Sequence, residues 1–367
     1  MSTLTTDPAA TTGGAQGFVP LVVAAVDRLT PDSVAVTFDV PDSQVERFRF
    51  RPGQHLTLRR VVDGAELRRT YSVCTSAANG RLRVAVKKLE GGAFSPWFTG
   101  ELQAGDCVQA LPPAGSFGPR VDPTRRRRYG LLAAGSGITP VLSILATVLE
   151  VEPGSEVFLV YGNRTQADAM FVDELADLKD RYLGRLQVLH VLSREDQGSE
   201  LLFGRIDAAR LARLFDTLLP PDDVDEWYLC GPLAMVTEAR VALLAAGADP
   251  ACVHTELFYA EAPAPRPRRE GARSGTSTVT AMLNGRSSTV RVDPTGGSIL
   301  EAVLATRPDA PYACRGGVCG TCRARVSSGS VEMDVNYALE PEEVSAGVVL
   351  TCQSHPTTPE VVLEYLT

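Results

Sequence analysis

Four cysteines near the C-terminus set the tightest limits on what this chain can be. Cys314, Cys319 and Cys322 stand at C-x4-C-x2-C spacing, and Cys352 follows some thirty residues later. That is a ligand spacing of a [2Fe–2S] cluster held by four thiolates. Such a cluster carries net negative charge and needs backbone N–H donors close by. Gly316, Gly317 and Gly320 let the main chain curl around it without a Cβ in the way. Three other readings stand beside this one. A zinc site usually presents two close Cys pairs, a redox dithiol accounts only for Cys319 and Cys322, and the four could be buried structural thiols. Three of the remaining cysteines, Cys74, Cys107 and Cys252, read as buried small hydrophobes.

The chain has 367 residues, too many for one ordinary core, so two or three domains are expected. With 44% hydrophobic residues it should pack rather than stay disordered. A net charge of −8 argues against a nucleic-acid binder, which would present a basic face. No run approaches the roughly 20 apolar residues a membrane helix needs. Residues 1–17, MSTLTTDPAATTGGAQG, lack the basic start and apolar stretch of a secretory signal and read as a loose tail. A cytoplasmic location is expected, where structural disulfides are rare.

Patterning divides the rest. From residue 18 to 120, short β-branched runs such as LVVAAV, SVAVTFDV, QHLTLRRVV and LRVAVKKL are broken by Pro and Gly, which predicts an antiparallel β-barrel or sandwich. From 121 to 260, strand-like YGLLAAG, EVFLVYGN, LQVLHVLS and EWYLCG alternate with helical TPVLSILATVLE, ADAMFVDELADLKDRY, ARLARLFDTLL and PLAMVTEARVALLAAG. This predicts an α/β doubly wound parallel sheet. The arginines at 125–128 read as a solvated edge ahead of the first of those strands. Residues 261–275 are rich in Pro and Arg without periodicity and read as a linker. Residues 276–367 open with a hairpin turning at Asn284–Gly285, followed by the helical run SILEAVLAT and the cysteine loop.

Upstream of the cysteines, three local patterns suit cofactor chemistry. Arg69-Thr70-Tyr71-Ser72 offers a guanidinium fork for a pyrophosphate, a flat ring and a small hydroxyl. Gly91-Gly92-Ala-Phe-Ser95 should open a helix, whose free N–H groups receive phosphate. Gly135-Ser-Gly137-Ile-Thr139-Pro140 turns a strand into a helix, as a dinucleotide cradle does, with Pro140 where a third glycine would stand. Cys230-Gly231-Pro232 occupies a second strand-to-helix turn. Each string alone is weak.

Together, in order, they resemble the ferredoxin–NADP reductase superfamily. The matching residues are Arg69 to Ser72, Gly91-Gly92 with Ser95, Gly135 to Pro140, Cys230-Gly-Pro-Leu-Ala-Met235 and Glu256-Leu-Phe258. The C-terminal segment resembles plant-type ferredoxins. This implies an α+β β-grasp domain and a one-electron carrier near roughly −400 mV. The resemblance also implies FAD, with Tyr71 packed on its ring system, Ser72 near its reacting nitrogen, and Arg69 with the Gly91–Ser95 turn, Gly92 included, on its pyrophosphate. Val86 and Phe117 join the expected FAD site. It places Gly135, Gly137, Thr139, Pro140, Cys230 and Gly231 about the nicotinamide, with Phe258 as a ring cover, and Ser72 and Cys230 as the catalytic pair.

The choice of nucleotide rests on the loops Asn163-Arg164-Thr165 and Ser193-Arg194-Glu195. Arg164 and Arg194 could pair with a 2′-phosphate, which favours NADPH; as solvated arginines they would leave NADH open. A nicotinamide gives two electrons and an iron–sulfur cluster takes one, and flavin mediates between them. The expected chain is an NAD(P)H-dependent reductase. TYSVCTS, LVYGNRTQADAMF, LLFGRID and YLCGPLAMV resemble the reductase subunits of phenylacetyl-CoA epoxidases in particular. That resemblance implies a di-iron oxygenase partner. The alternatives are a Rieske-type oxygenase partner, as for 3-ketosteroid 9α-hydroxylase, and a low-turnover redox sensor or adaptor.

Overall fold

The computed structural model describes residues 17–62, 64–258, 275–293 and 296–366. The expected tail and linker lie outside the described residues, apart from Gly17 and Gly275.

The first domain is a six-stranded antiparallel barrel. Its strands are β1 (Val19–Thr30), β2 (Ser33–Asp39), β3 (His55–Val62), β4 (Ala65–Ser72), β5 (Arg83–Lys87) and β6 (Cys107–Ala110), in the order β4-β3-β6-β1-β2-β5. A bridge between Val73 and Val84 joins the two ends. Alternation along β1 sends Val19, Leu21 and Val23 inward and Pro20 and Val22 outward. The core they enter also holds Val34, Val36, Leu56, Leu58, Phe94 and Phe98, the last from helix α1 (Ser95–Gly100). The Arg69–Ser72 string forms the end of β4. One expectation changes here. Cys107 is exposed, not buried, because it pairs with the outward-facing Val22 on the barrel's outer face.

The second domain alternates β7 (Arg128–Ala134), α2 (Ile138–Val151), β8 (Glu156–Asn163), α3 (Val172–Arg181), β9 (Leu186–Leu192), α4 (Ala208–Thr217), β10 (Glu226–Gly231), α5 (Leu233–Ala245) and β11 (Val253–Leu257). The five strands are parallel, in the order β11-β10-β7-β8-β9. α2 and α3 cover one face and α4 and α5 the other, so β7 is buried along its length. The helix expected across ADAMFVDELADLKDRY begins only at Val172. Phe171 sits in the left-handed region at φ 61, which stops the helix from extending backwards. That conformation costs about 1–2 kcal/mol. Burying the ring, 3% exposed, offsets it with roughly 2–3 kcal/mol. The arginines at 127 and 128 meet Glu226, Glu156 and Asp223 at the sheet's N-terminal edge, the solvated role expected of that run.

Barrel and sheet share a core, in which Ala35, Cys74, Ala85 and Phe117 pack with α2 residues. Arg83 crosses the boundary, with Nη1 at 2.7 Å from Glu174 and Nη2 at 3.2 Å from Asp27.

The third domain is a mixed sheet, β13-β12-β18-β14-β16, with a separate β15-β17 pair. Its elements are β12 (Ser277–Leu283), β13 (Arg286–Val292), α6 (Ile299–Leu304), β14 (Arg323–Ser328), β15 (Val331–Met333), α7 (Pro341–Ser345), β16 (Val348–Leu350), β17 (Ser354–Pro356) and β18 (Glu360–Tyr365). Asn284 and Gly285 both have positive φ, 53 and 72, as a tight β12–β13 hairpin requires. Ser298 and Glu301 form a capping box that starts α6.

Candidate functional site

Chain order in the parallel sheet reverses between β7 and β10, so a crevice opens at their C-terminal ends. Two of the expected motifs end up there. The Gly135–Gly137 turn leaves β7 and enters α2, while Cys230 and Gly231 close β10. The two turns are pressed together: a Cβ on Gly137 would lie 2.3 Å from the carbonyl oxygen of Cys230. Thr139 is buried and its hydroxyl donates to the Ser136 carbonyl at 3.0 Å, while Pro140 sits in the first turn of α2. Tyr161 donates to the Gly135 carbonyl at 3.1 Å, bracing the turn from β8.

Ser72, at the end of β4, reaches into this crevice from the barrel. Its hydroxyl donates to Glu256 Oε2 at 3.4 Å. Glu256 and Cys230 are register partners on β11 and β10, so their side chains share a face of the sheet. Burial pushes the Glu256 carboxyl up to about 8, against the opposite pull of the Ser72 hydrogen bond. The carboxyl is therefore mostly protonated at neutral pH. The Cys230 thiol is fully buried, and burial followed by the nearby Glu256 charge drives it far above the ordinary thiol range. It is a neutral packing group here and no thiolate nucleophile.

His55 lies opposite Ser72 in the β3–β4 register. Burial, then the charge of Arg323 from the third domain, lowers its pKa to about 4, so the imidazole is neutral. Its Nε2 is buried with no hydrogen-bond partner among the described residues. An orphaned polar atom beside Ser72 suits a polar ligand at this position. Neither His55 nor Glu256 stood among the site residues expected from sequence. Glu256 lay within a matching string, whereas His55 is one histidine in a strand pattern and gave no signal.

The other expected FAD residues are arranged around the barrel. Arg69 is exposed and donates to the Arg68 carbonyl at 2.7 Å; Thr70 is half-buried on the same strand. The Tyr71 ring lies 5.6 Å from Phe98 and 5.9 Å from Phe94, centroid to centroid, and extends an aromatic pile. Ser95 opens α1 and accepts the Leu89 N–H at 3.0 Å, which folds Gly91 and Gly92 into a turn over it. Val86 is fully buried in the barrel core, and the Phe117 ring packs edge-on to Tyr228 at 5.6 Å.

The two arginine loops abut at the ends of β8 and β9. Ser193 N donates to Asn163 O at 2.9 Å, and Arg194 N to Arg164 O at 2.8 Å. Arg194 is exposed, Arg164 pairs with Asp168 at 2.7 Å, and Glu195 accepts the Gln166 N–H at 2.8 Å. Phe258, half-buried just beyond β11, packs against the core shared with the barrel.

The four C-terminal thiols form two neighbouring pairs, Cys314 with Cys319 and Cys322 with Cys352. Among the described residues no group of three or more His, Cys, Asp or Glu is spaced to hold a single metal ion. The two pairs would supply two thiolates to each iron of a [2Fe–2S] cluster. Gly316 N and Cys319 N donate to Cys314 Sγ at 3.3 and 3.4 Å, and Thr321 Oγ1 lies 3.1 Å from Cys319 Sγ. The hydrogen bond with Cys319, with help from the Gly316, Val318 and Cys319 N–H groups and against burial, draws Cys314 down to about 5. Positive φ at Arg315, Gly317 and Gly320 bends the loop so that these amides turn inward. Donor chemistry and loop shape thus fit a cluster of net negative charge.

Comparison with known proteins gives the same three-part order. Family models match for an oxidoreductase FAD-binding domain at residues 20–118, an oxidoreductase NAD-binding domain at 131–241 and a 2Fe-2S iron–sulfur cluster binding domain at 281–357. The chain is 45% identical over 349 residues to a component of the 1,2-phenylacetyl-CoA epoxidase of Escherichia coli (strain K12), covering 95% of this chain and 98% of that protein. It is 34% identical over 356 residues to the ferredoxin reductase component of 3-ketosteroid-9-alpha-monooxygenase from Rhodococcus rhodochrous, covering 95% and 97%. Among solved structures, phthalate dioxygenase reductase, described as a modular structure for electron transfer from pyridine nucleotides to [2Fe-2S], aligns with a TM-score of 0.58. The identity is 25%, over 95% of this chain and 98% of that one.

Proposed function

This chain belongs to the reductase family that joins an FAD-binding, an NAD-binding and a 2Fe-2S domain in one polypeptide, and we propose that it serves a phenylacetyl-CoA epoxidase-type di-iron oxygenase. It is an oxidoreductase that takes electrons from a pyridine nucleotide and carries them through FAD to a [2Fe–2S] cluster. The crevice where Ser72 of the barrel meets Glu256 beside Cys230 and Gly137 of the parallel sheet is the feature that supports this most directly. One cavity edge is thereby built from both cofactor domains.

Bound FAD supplies the exchange between two-electron hydride chemistry and one-electron transfer. The chain's residues do the rest. Arg69 and the Gly92–Ser95 turn hold a pyrophosphate, and Tyr71 flanks the ring system. Gly137, having no Cβ, lets the turns after β7 and β10 close on each other, and a nicotinamide would lie in the crevice they form, with Cys230 as its buried neutral floor and Phe258 at its rim. Glu256, protonated at neutral pH, holds a proton one hydrogen bond from the Ser72 hydroxyl, so the pair can pass a proton at that oxygen. Cys314, Cys319, Cys322 and Cys352 hold the cluster.

NADPH is the proposed donor. Arg194 is exposed at the nucleotide edge beside Arg164, and the acidic Glu195 is occupied by a backbone N–H. Domain limits of 18–120, 121–260 and 276–367 are part of the proposal, supported by the separate barrel and C-terminal cores. A cytosolic setting suits a chain that keeps four thiols for a cluster and joins none of its cysteines by disulfides. No helix among the described residues is long and apolar enough to cross a membrane.

A second reading, a Rieske-type oxygenase as partner, is favoured by the 34% identical ketosteroid relative. Holoprotein supplied with NADPH should reduce ferricyanide and cytochrome c, and should support epoxidation of phenylacetyl-CoA by the matching oxygenase. Failure with both artificial acceptors would defeat the enzyme reading. Turnover of a Rieske oxygenase but not the epoxidase would replace the partner.

A further inference from the structure

Strand β4 presents two sets of side chains on opposite faces. Leu67 and Tyr71 pack on the barrel core. Glu66, Arg68, Thr70 and Ser72 lie on the other face, and its two ends meet different domains. Ser72 touches Glu256 of the parallel sheet. Arg68, roughly 13 Å back along the strand, touches the segment that leads into Cys314.

Arg68 and Arg83 are both buried arginines of this barrel. The Arg68 side chain is 5% exposed, whereas its neighbour Arg69 is exposed. Nε donates to Glu66 Oε1 at 2.6 Å, and the guanidinium lies 4.1 Å from the Tyr312 ring centroid. Nη1 and Nη2 point at the carbonyls of Ala310 and Pro308 at 3.4 and 3.5 Å. The Tyr312 hydroxyl donates to the same Glu66 oxygen at 3.4 Å, and Arg315 approaches the same ring at 4.6 Å. Glu66 and the Phe18 ring, 4.9 Å from the guanidinium, cover Arg68 from the barrel, and Pro308, Ala310 and Tyr312 cover it from the third domain. A guanidinium this enclosed is satisfied only while that domain is docked. Val318, within the cysteine loop, and Tyr337 pack against the core of the parallel sheet.

We propose that Glu66, Arg68 and Tyr312 form a clasp that positions the cysteine loop on the flavin barrel for electron transfer from flavin to cluster. The proposal rests on the reductase reading. Arg68 and Tyr312 are positioning residues: they set where the loop lies and take no part in hydride transfer or cluster ligation.

The test uses the full-length holoprotein and the variants Arg68→Ala, Arg68→Lys, Tyr312→Leu and Tyr312→Phe, each checked for FAD content and cluster absorbance. Two readouts are followed. One is amide hydrogen exchange over residues 308–313 in the oxidised protein without nucleotide, which needs no activity. The other is stopped-flow absorbance, which separates flavin reduction by NADPH from the later bleaching of the cluster. Arg68→Ala and Tyr312→Leu should each raise exchange over 308–313 and slow cluster bleaching at least tenfold, with flavin reduction within twofold of wild type. Arg68→Lys should be intermediate, because an ammonium cannot reach both carbonyls while lying on the ring. Tyr312→Phe should stay near wild type, since the ring remains. Unchanged exchange and bleaching in Tyr312→Leu would overturn the clasp, even if Arg68→Ala did not fold. Loss of FAD or cluster from both would also overturn it, by making the contact a folding requirement. A wild-type cluster that NADPH never reduces would defeat the reductase reading instead, while the exchange readout still reports on the clasp.

Discussion

Ser72 and Glu256 lie 3.4 Å apart across the boundary between the barrel and the parallel sheet, 184 residues apart in the chain. A serine that ends an antiparallel strand and a glutamate on the last parallel strand share one hydrogen bond. Through it the β7–β10 crevice becomes part of both domains. Cys230 sits beside Glu256 in register, and its neutrality leaves Glu256 as the group there that titrates near neutral pH.

Glu256 should make stability depend on pH. Its folded-state pKa, about 8, lies above the ordinary carboxylate value, so the folded protein keeps a proton that the unfolded chain releases. This contribution is full below the ordinary carboxylate range and is lost as pH rises toward 8, by at most about 1.4 kcal/mol per pH unit. Denaturant unfolding of wild type minus Glu256→Gln should decline between pH 5 and 8 and level off above. A flat difference would show that Glu256 ionises normally.

Gly137→Ala forces a methyl against the Cys230 carbonyl, where it would stand 2.3 Å away. The two turns must separate, at a cost of roughly 1–3 kcal/mol. The variant should unfold at lower temperature and should lose the stabilisation that added NADP⁺ gives wild type. Wild-type thermal shifts with nucleotide would remove Gly137 from the crevice.

Arg194→Ala should lower kcat/KM for NADPH by about 10- to 100-fold, the equivalent of roughly 1.4–2.8 kcal/mol for a lost charge-assisted contact, and leave NADH use unchanged. Steady-state ferricyanide reduction with each nucleotide decides the matter. Equal losses with both would assign Arg194 to something other than a 2′-phosphate.

Cys319→Ser removes one of the two sulfurs of the Cys314–Cys319 pair. Visible absorbance of the cluster should disappear, while NADPH-driven ferricyanide reduction through FAD persists. If that activity vanished with FAD still bound, the barrel and sheet would not be a self-sufficient unit.

Arg83→Ala strips Glu174 and Asp27 of their shared partner at the barrel–sheet boundary. Both carboxylates keep substantial exposure, so the loss should be about 1–3 kcal/mol, below that for a fully buried pair. Chemical denaturation should show the drop. Arg83→Lys should not restore it, because one ammonium cannot serve two carboxylates on different elements.

Local chemistry was legible in the sequence. The cysteine spacing, the glycine turn after β7, the Asn284–Gly285 hairpin and the strand–helix alternation are set within a few residues by backbone freedom and side-chain period. They suffice for three domains and their order. What lay beyond reach depended on groups far apart in the chain. Cys107 reads as a small hydrophobe, yet its place on the barrel's outer face exposes it. ADAMF reads as helix, yet burying Phe171 holds its backbone left-handed. His55 acquires its orphaned nitrogen, Glu256 its raised pKa and Arg68 its enclosure only once the domains meet. The chemistry each domain carries is written in residues a few positions apart. Desolvation depends instead on which surfaces close over a side chain, through contacts the chain makes across two hundred residues, and so the packing of the domains settles which side chains lose their water and how the three parts are joined.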